Sequence, residues 1–447
     1  MRDLARVDEG MRSLSSVDRA LAFRLALGET GAEAVLDERM AAFLRRPSSL
    51  EPRVRDALRL AAFEILYLDT PDAVAASQGV ELVRSVAPRA AGLANAVLRR
   101  LAEQVRPQVR AARERVSAGD ASPDDLVLVS GLPSWLVERI LNDRGAAFAR
   151  TLCLAQMEPA PVYVAANTHL HDADELRVLL EELGLAPEPI EALDGSYVLH
   201  EAAALSATGL VERAELAVVD LSAQLVCRLA APSAPCTMLE VGQGRGSKSL
   251  LLAAAAGATH PSHIVGVESV PYKVRVSRDR VVAAGLDGQV SCLELDARRL
   301  GEPDAPEAAR GPFGAALVDA PCSGTGTMRR HPEIAASLVP SDVSELAALQ
   351  LELLRAAATR VEVGAVLAYA TCSVLREEDE DVVSAFLASD VGRSFRVMPV
   401  EAAPSCVHDA TLAELVRERQ TPEGFFVSVP TMGGGDGHFC ALLKRVD

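Results

Sequence analysis

The 447-residue sequence contains no long apolar run and no recognisable export signal. A membrane-spanning helix needs about 20 consecutive apolar residues. No stretch approaches that length, so no membrane partner is expected. Residues 1–10 carry acidic side chains and lack the apolar core of a signal peptide. Together these absences predict a cytoplasmic protein.

Closely spaced cysteine pairs are also absent. The eight cysteines show no C-x-x-C spacing, which argues against structural zinc, and no metal is expected. In the cytoplasm their thiols should stay reduced. A free cysteine is usually a small apolar residue of the core. We expect this of six of them, but not of Cys322 and Cys372.

Lysine is scarce, and acidic residues outnumber basic ones, 62 to 45. The net charge of −17 is unfavourable for binding nucleic acid. The charge is uneven, however, because residues 1–115 hold 19 arginines and 16 acids, whereas the remainder carries −20. The only lysines are Lys248, Lys273 and Lys444, so arginine supplies nearly all the cations, and its planar guanidinium suits phosphate contacts. Overall charge therefore does not decide the partner.

The distribution of apolar residues predicts three domains. In residues 1–116 apolar positions recur at helical spacing and prolines separate the runs, which predicts an all-α bundle. A segment rich in Ser, Asp and Pro, 117–125, is predicted to be a linker. Residues 126–215 are predicted to form a helical linker and a small α+β connector. In residues 216–447 five short apolar runs alternate with amphipathic helices, which predicts a Rossmann-like parallel sheet covered on both faces.

A glycine-rich loop follows the first strand of that sheet. Glu240 ends the strand, and Gly242, Gly244 and Gly246 occupy alternate positions before a helix that begins near Ser247. All four are candidates for binding the cofactor. Glycines at these positions let the backbone approach a cofactor where a Cβ would collide. The context, after a strand and before a helix, is typical of a cofactor-binding loop.

Acidic residues follow the next two strands. Glu268 ends the second strand and is placed to accept hydrogen bonds from ribose hydroxyls. Asp296, after the third strand, could meet the exocyclic amine of adenine. Either acid alone is better explained as a helix cap or a solvated loop residue. Together with the glycine loop they favour a nucleoside cofactor, without distinguishing NAD from S-adenosylmethionine.

Two cysteines follow the fourth and fifth strands. Cys322 comes three residues after Asp319, and Cys372 ends the stretch YATC. Ligands of such sheets bind at the carboxyl ends of the strands, and neighbouring strands would bring both thiols to that edge. Both lie in polar, loop-forming sequence, which fits poorly with a purely apolar role.

Several stretches resemble a known family. DAPCSGTG (319–326) with MRRHPE (328–333), and YATCSVLREEDEDVV (369–383), resemble the two signature stretches of the Sun family of RNA cytosine-C5 methyltransferases. GDGHFCALLKR (435–445) resembles that family's closing strand. Residues 74–100 resemble the end of a NusB-like RNA-binding domain. The pairing is typical of the bacterial enzyme that modifies small-subunit (16S) ribosomal RNA, and the resemblance covers nearly the whole chain.

The resemblance implies a class I methyltransferase that uses S-adenosylmethionine. Cys372 would be the nucleophile that adds to carbon 6 of cytosine, and Cys322 the cysteine that helps release the product. Asp319 would stabilise the adduct at the edge carrying N3 and the amine, and would also lie at the cofactor. A free thiol with a pKa of about 8.5 must be acidified to attack at neutral pH.

The glycine loop departs from the family pattern. The family has Cys-Ala-Ala-Pro-Gly-Gly-Lys-Thr, whereas residues 242–249 are Gly-Gln-Gly-Arg-Gly-Ser-Lys-Ser, with Lys248 kept as a cofactor-binding candidate. A Val-Gln-Asp-x-Ala-Ser stretch survives only partly in residues 219–222. The same chemistry on tRNA, and a non-catalytic RNA-binding assembly factor, remain alternative readings.

RNA is the expected partner of a monomeric protein. The candidates for RNA contacts are arginines in the first domain and in the stretch after Cys322: Arg99, Arg100, Arg329 and Arg330. Arg106, Arg110 and Arg113 extend the first group along the same helical region. An Arg-rich solvated surface is the simpler alternative for them.

Overall fold

A computed structural model describes residues 14–232, 234–253 and 262–447. Residues 1–10, for which the sequence predicts no signal peptide, lie outside this part of the chain. The chain forms two compact units. We call them the helical unit (Met1–Pro159 with Met328–Leu338) and the sheet unit (Ala160–Thr327 with Val339–Asp447). No helix in the described part is long and apolar enough to cross a membrane.

The helices are numbered in chain order. They are α1 (Ser16–Gly31), α2 (Glu33–Ala41), α3 (Pro52–Tyr67), α4 (Asp72–Val86), α5 (Ala91–Arg100), α6 (Arg106–Ala118), α7 (Pro123–Ser130), α8 (Ser134–Gln156), α9 (Ala173–Glu182), α10 (Leu221–Ala230), α11 (Ser247–Ala253), α12 (Pro271–Ala283), α13 (Glu333–Ser337), α14 (Pro340–Ala358), α15 (Glu380–Ala388), α16 (Pro404–His408) and α17 (Ala410–Arg417).

The strands are numbered in the same way. They are β1 (Val162–Ala166), β2 (Pro187–Pro189), β3 (Ser196–Leu199), β4 (Leu216–Val218), β5 (Thr237–Val241), β6 (His263–Glu268), β7 (Val290–Glu294), β8 (Phe313–Asp319), β9 (Val361–Thr371), β10 (Phe395–Met398), β11 (Phe426–Val427) and β12 (Phe439–Arg445).

The helical unit contains α1–α8 and α13, and its described residues include no strand. The all-α prediction for this part of the chain is confirmed. Local signals start and stop the helices: Ser122 and Asp125 form a capping box at the start of α7, and Gly131 ends it in a left-handed conformation. Gly79 of α4 packs so closely that a Cβ there would lie 2.5 Å from Ala61 of α3 and 2.8 Å from Leu98 of α5.

Arg106, at the start of α6, joins that helix to the turn between α3 and α4. It is 3% exposed. Its guanidinium donates to the carbonyls of Leu68 (3.0 Å) and Thr70 (2.9 Å) and pairs with the Asp72 carboxylate. The prediction that Arg106 contacts RNA is therefore wrong, since its guanidinium is buried and hydrogen-bonded inside the bundle.

The sheet unit begins with a small antiparallel sheet in the order β2–β3–β1–β4. Helix α9 lies between β1 and β2 in the chain, so this sheet has a mixed α+β character. Asn167, which follows β1, is buried and donates to the carbonyls of Ala214 and Ala284.

The large sheet has the order β10–β12–β9–β8–β5–β6–β7, with β11 on β12. The five strands predicted from the sequence correspond to β5–β9, and they are parallel. β12, the closing strand, is antiparallel to β9. Successive residues of β8 point to opposite cores, with Leu317 in one apolar cluster and Ala316 and Val318 in the other. The Rossmann-like prediction is confirmed.

The anchoring role of Arg106 can be tested by unfolding. Arg106→Ala leaves two carbonyls and Asp72 without their donor, so we expect the helical unit to lose roughly 2–4 kcal/mol of stability. The measurement is urea denaturation followed by circular dichroism. Arg110→Ala, which removes an exposed arginine from the same helix, is the matched control and should change stability by less than about 0.5 kcal/mol. Equal effects would rule out the anchoring role.

Candidate active site at the carboxyl edge of the large sheet

The two thiols singled out in the sequence are in contact. Because β8 and β9 are parallel neighbours with Asp319 opposite Ala370, the loops that follow them begin at the same level. The Sγ atoms of Cys322 and Cys372 lie 3.3 Å apart, and the Cys372 backbone N–H donates to Cys322 Sγ at 3.3 Å. Both side chains are partly exposed.

The other cysteines follow the apolar expectation. Cys236 is partly buried against the core, and the remaining five are buried. Those five are Cys153, Cys227, Cys292, Cys406 and Cys440. Burial raises the pKa of each of their thiols, so none is a nucleophile at neutral pH.

The thiol pair is electrostatically asymmetric. The hydrogen bond from Cys322 lowers the pKa of Cys372, and the Lys248 ammonium adds to that effect, against burial and nearby carboxylates. The same hydrogen bond, together with burial, raises the pKa of Cys322. These opposite shifts make Cys372, rather than Cys322, the thiol of the pair that ionises more readily.

Lys248 and Asp319 form an ion pair beside the thiols. The Lys248 Nζ atom donates to Asp319 Oδ2 at 2.7 Å. Burial acts to lower the pKa of Lys248, but the Asp319 carboxylate, together with the nearby Cys227 and Cys372 sulfurs, raises the pKa overall. The lysine kept from the family's loop thus carries a charge that fixes Asp319.

The glycine loop runs against the end of β8. Gly242 has a φ of 78°, and a Cβ at this position would lie 2.2 Å from the Asp319 carbonyl oxygen. Only glycine combines that conformation with that approach. Gly244 and Gly246 also have positive φ. The Gly244 N–H donates to Glu268 Oε2 at 3.0 Å, which ties the loop to the end of β6.

Glu240 is fully buried behind this loop. Its Oε2 accepts a hydrogen bond from Ser249 Oγ at 2.5 Å, and Gln243 Nε2 donates to the same serine oxygen at 3.0 Å. Burial raises the pKa of Glu240 to about 7, although the Ser249 hydrogen bond opposes this. Its Oε1 has no hydrogen-bond partner within the described residues.

Glu268 and Asp296 lie after β6 and β7, as predicted, and both also have structural partners. Glu268 Oε1 accepts from the Val270 N–H at 2.9 Å. Asp296 caps the turn that follows it by accepting from the Arg298 N–H at 3.0 Å, and it pairs with the Arg298 guanidinium at 2.6 Å. The hydrogen bonds from Arg298 lower the pKa of Asp296. The helix-cap alternative thus applies to Asp296, whose side chain remains partly exposed.

Glu378 is a further residue of the site that was not predicted from the sequence. This residue is fully buried in the loop after β9, and its carboxylate accepts hydrogen bonds from Ser323 and Ser373, the residues that directly follow the two cysteines. In an acidic run such as REEDED a carboxylate is normally solvated. The only available signal was its place inside the second signature stretch.

The four candidate RNA-binding arginines belong to the helical unit. Arg99 is exposed and lies 3.4 Å from Glu103. Arg100 is exposed, with its guanidinium 6.0 Å from the centre of the Phe43 ring. Arg330 is partly exposed. Arg329 is only 8% exposed, so its prediction as a phosphate contact is not supported.

No cluster of three or more potential metal ligands occurs in the described ranges. The groups gathered at this edge are the thiol pair, the Lys248–Asp319 ion pair and a tight loop bordered by acids.

Comparisons with known proteins agree with this geometry. Residues 228–443 match the family model described as 16S rRNA methyltransferase RsmB/F, and residues 2–103 match the NusB family. The ribosomal RNA small subunit methyltransferase B of Thermus thermophilus is 34% identical over 96% of this chain and 89% of its own length.

Solved structures show the same fold. The crystal structure of PH0851 superposes with a TM-score of 0.74 at 21% identity, covering 98% of this chain and 92% of that one. NSun6 from Pyrococcus horikoshii with SFG gives a TM-score of 0.58 at 15% identity, covering 71% of this chain and all of that one. With its NusB-family domain and its methyltransferase domain, the chain belongs to the RsmB/F family of 16S rRNA methyltransferases.

Proposed function

We propose that this S-adenosylmethionine-dependent methyltransferase modifies carbon 5 of a cytosine in small-subunit ribosomal RNA through a covalent bond between Cys372 and carbon 6. The observation that carries the proposal is the 3.3 Å contact in which Cys322 acidifies Cys372. A second thiol beside the nucleophile can assist the release step that follows addition to carbon 6. The family description and the name of the Thermus relative favour the ribosomal substrate.

The reaction begins at Cys372. Its thiolate adds to carbon 6 and makes carbon 5 nucleophilic enough to accept the methyl group. Asp319, fixed by Lys248, is the carboxyl group we assign to the N3 and amine edge of the base, where it stabilises the adduct. Once Cys372 is bonded to carbon 6, Cys322, in the thiolate form after losing its own proton to solvent, takes the carbon 5 proton. The C5–C6 double bond then re-forms and the Cys372 sulfur leaves as a thiolate.

The residues at the glycine loop fit S-adenosylmethionine. Gly242 and Gly244 are partly exposed. Glu268, a buried residue at the end of β6, accepts one backbone hydrogen bond at each carboxylate oxygen, which leaves an acceptor site on each for ribose hydroxyls. Asp296 lies after the next strand, on the side expected for adenine. The bound cofactor supplies a methyl group on a positively charged sulfur, while these residues bind and orient it.

The cofactor assignment predicts the effect of removing the Glu268 carboxylate. Glu268→Ala should weaken S-adenosylmethionine binding by about 1–3 kcal/mol, the scale of lost charge-assisted hydrogen bonds. Calorimetry on the folded variant measures this. Asp279→Ala, which removes an exposed acid from α12, is the control and should bind normally. Unchanged affinity in Glu268→Ala would end the ribose assignment.

The RNA assignment predicts a salt effect. Replacing both Arg99 and Arg100 by alanine should weaken rRNA binding by the full-length protein. It should also flatten the dependence of log affinity on log salt by about 1–2 units, since each phosphate contact contributes about 0.9. Filter binding across a salt series gives both values, and thermal unfolding verifies that the variant is folded. Wild-type affinity and slope would leave these arginines as a solvated surface.

The mechanism predicts opposite behaviour for the two cysteine variants. Cys372→Ala should be inactive and form no covalent link to RNA. Cys322→Ala can still add and methylate but releases poorly, so it should accumulate a protein–RNA adduct that survives a denaturing gel. Because Cys322→Ala also loses the hydrogen bond that lowers the pKa of Cys372, adduct formation should be slow near pH 7 and faster as pH rises.

Two other outcomes of this experiment would contradict the proposed roles of the cysteines. An adduct on Cys372→Ala alone would reverse the two roles. Normal turnover by both variants, without any adduct, would end the two-cysteine mechanism. Bisulfite sequencing of small-subunit rRNA from cells with and without the gene tests the substrate separately, and the loss of one methylcytosine signal is the expected result.

A further inference from the structure

Glu378 lies between the two cysteine-bearing loops with every lone pair of its carboxylate engaged. Oε1 accepts from the Ser323 N–H at 2.7 Å and from Gln350 Nε2 at 3.0 Å. Oε2 accepts from the hydroxyls of Ser323 and Ser373, the latter at 2.6 Å. A carboxylate has about four acceptor sites, so these four donors account for all of them.

The serines that donate these hydrogen bonds are the direct neighbours of the two reactive cysteines. Ser323 is covalently next to Cys322, and Ser373 is next to Cys372. A displacement of either loop therefore stretches a charge-assisted hydrogen bond inside the protein, where such bonds are strongest. Burying a carboxylate costs desolvation free energy. The hydrogen bonds from both loops offset that cost for Glu378.

Glu378 is itself held on its backbone side. The Tyr369 hydroxyl donates to the Glu378 carbonyl oxygen at 2.5 Å and contacts Gln350 at 3.2 Å. Gln350, from α14, also donates to the Pro321 carbonyl at 2.9 Å. These bonds fix the Glu378 carboxylate relative to β9 and α14. From this fixed position it can orient the two loops.

We propose that Glu378 is a positioning residue that holds Cys322 and Cys372 within hydrogen-bond distance of each other. Its catalytic meaning rests on the proposed function. The thiol–thiol hydrogen bond exists only while both loops keep their places, so without Glu378 the contact that lowers the pKa of Cys372 is lost. Displacements of about 1 Å in an active site can cost on the order of 100-fold in rate.

The test compares Glu378→Ala with Glu378→Gln. Alanine removes all four bonds. Glutamine keeps an oxygen for the Ser323 N–H and Gln350, and its amide N–H groups can donate to the two serine hydroxyls. Both variants remove the same negative charge. A purely electrostatic role therefore predicts equal effects, with the pKa of Cys372 falling in each, whereas a positioning role predicts that only alanine disturbs the site.

The readout is the pH dependence of Cys372 alkylation by iodoacetamide, followed by peptide mass spectrometry in the full-length protein. In Glu378→Ala we expect the alkylation midpoint to move to higher pH and kcat to fall about 10- to 100-fold. KM for S-adenosylmethionine should stay near the wild-type value. Glu378→Gln should restore most of both quantities. Asp381→Ala, which removes an exposed acid from α15, is the control and should match wild type.

Three results would overturn the proposal: an unchanged midpoint in Glu378→Ala, a midpoint that falls, or equal shifts in both Glu378 variants. If Glu378→Ala does not fold, the Ser323→Ala/Ser373→Ala double variant, which removes the serine hydroxyls, should raise the midpoint, and a wild-type midpoint there overturns the proposal. The alkylation needs no RNA. A failure to methylate cytosine would therefore count against the proposed function alone.

Discussion

The parallel pairing of β8 with β9 is the constraint on which the site depends. It places Asp319 opposite Ala370, so the chain leaves both strands at one level and the two loops run side by side. The glycine loop after β5 meets the same point, because Gly242 lies against the Asp319 carbonyl. A register shift of one residue would reverse the direction of every β8 side chain and separate the thiols from the loop. Fold stability and reactive geometry are therefore set by the same hydrogen-bond ladder.

Much of this arrangement could be predicted from sequence because it follows from strand order and strand ends. Alternating apolar runs and helices determine a parallel sheet, and residues at the carboxyl ends of such strands gather at one edge. Cys322, Cys372 and Glu268 were found in this way. The helical unit was equally accessible, since helical periodicity is local.

The hydrogen-bond partners of side chains could not be predicted from the sequence, because they depend on residues that are distant along the chain. Arg106 looks like any other exposed arginine until the turn between α3 and α4 supplies three acceptors for it. Glu378 looks like one acid in an acidic run, yet its four donors come from three separate segments. Arg329 follows a signature stretch but is buried. For these three residues the charged side chain suggested an exposed position, but the tertiary structure buries each of them.

The helical unit is built from two separate stretches of the chain, and this determines when it can finish folding during translation. The short helix α13 packs on α1, where a Cβ on Gly31 would lie 3.2 Å from Pro332. Residues up to Pro159 leave the ribosome about 170 residues before Met328 does. At 5–20 residues per second this is a delay of roughly ten to thirty seconds. The bundle must therefore wait for β1–β8 of the other unit to be translated before its last helix exists, and a nascent chain stalled in between carries an unfilled surface on α1.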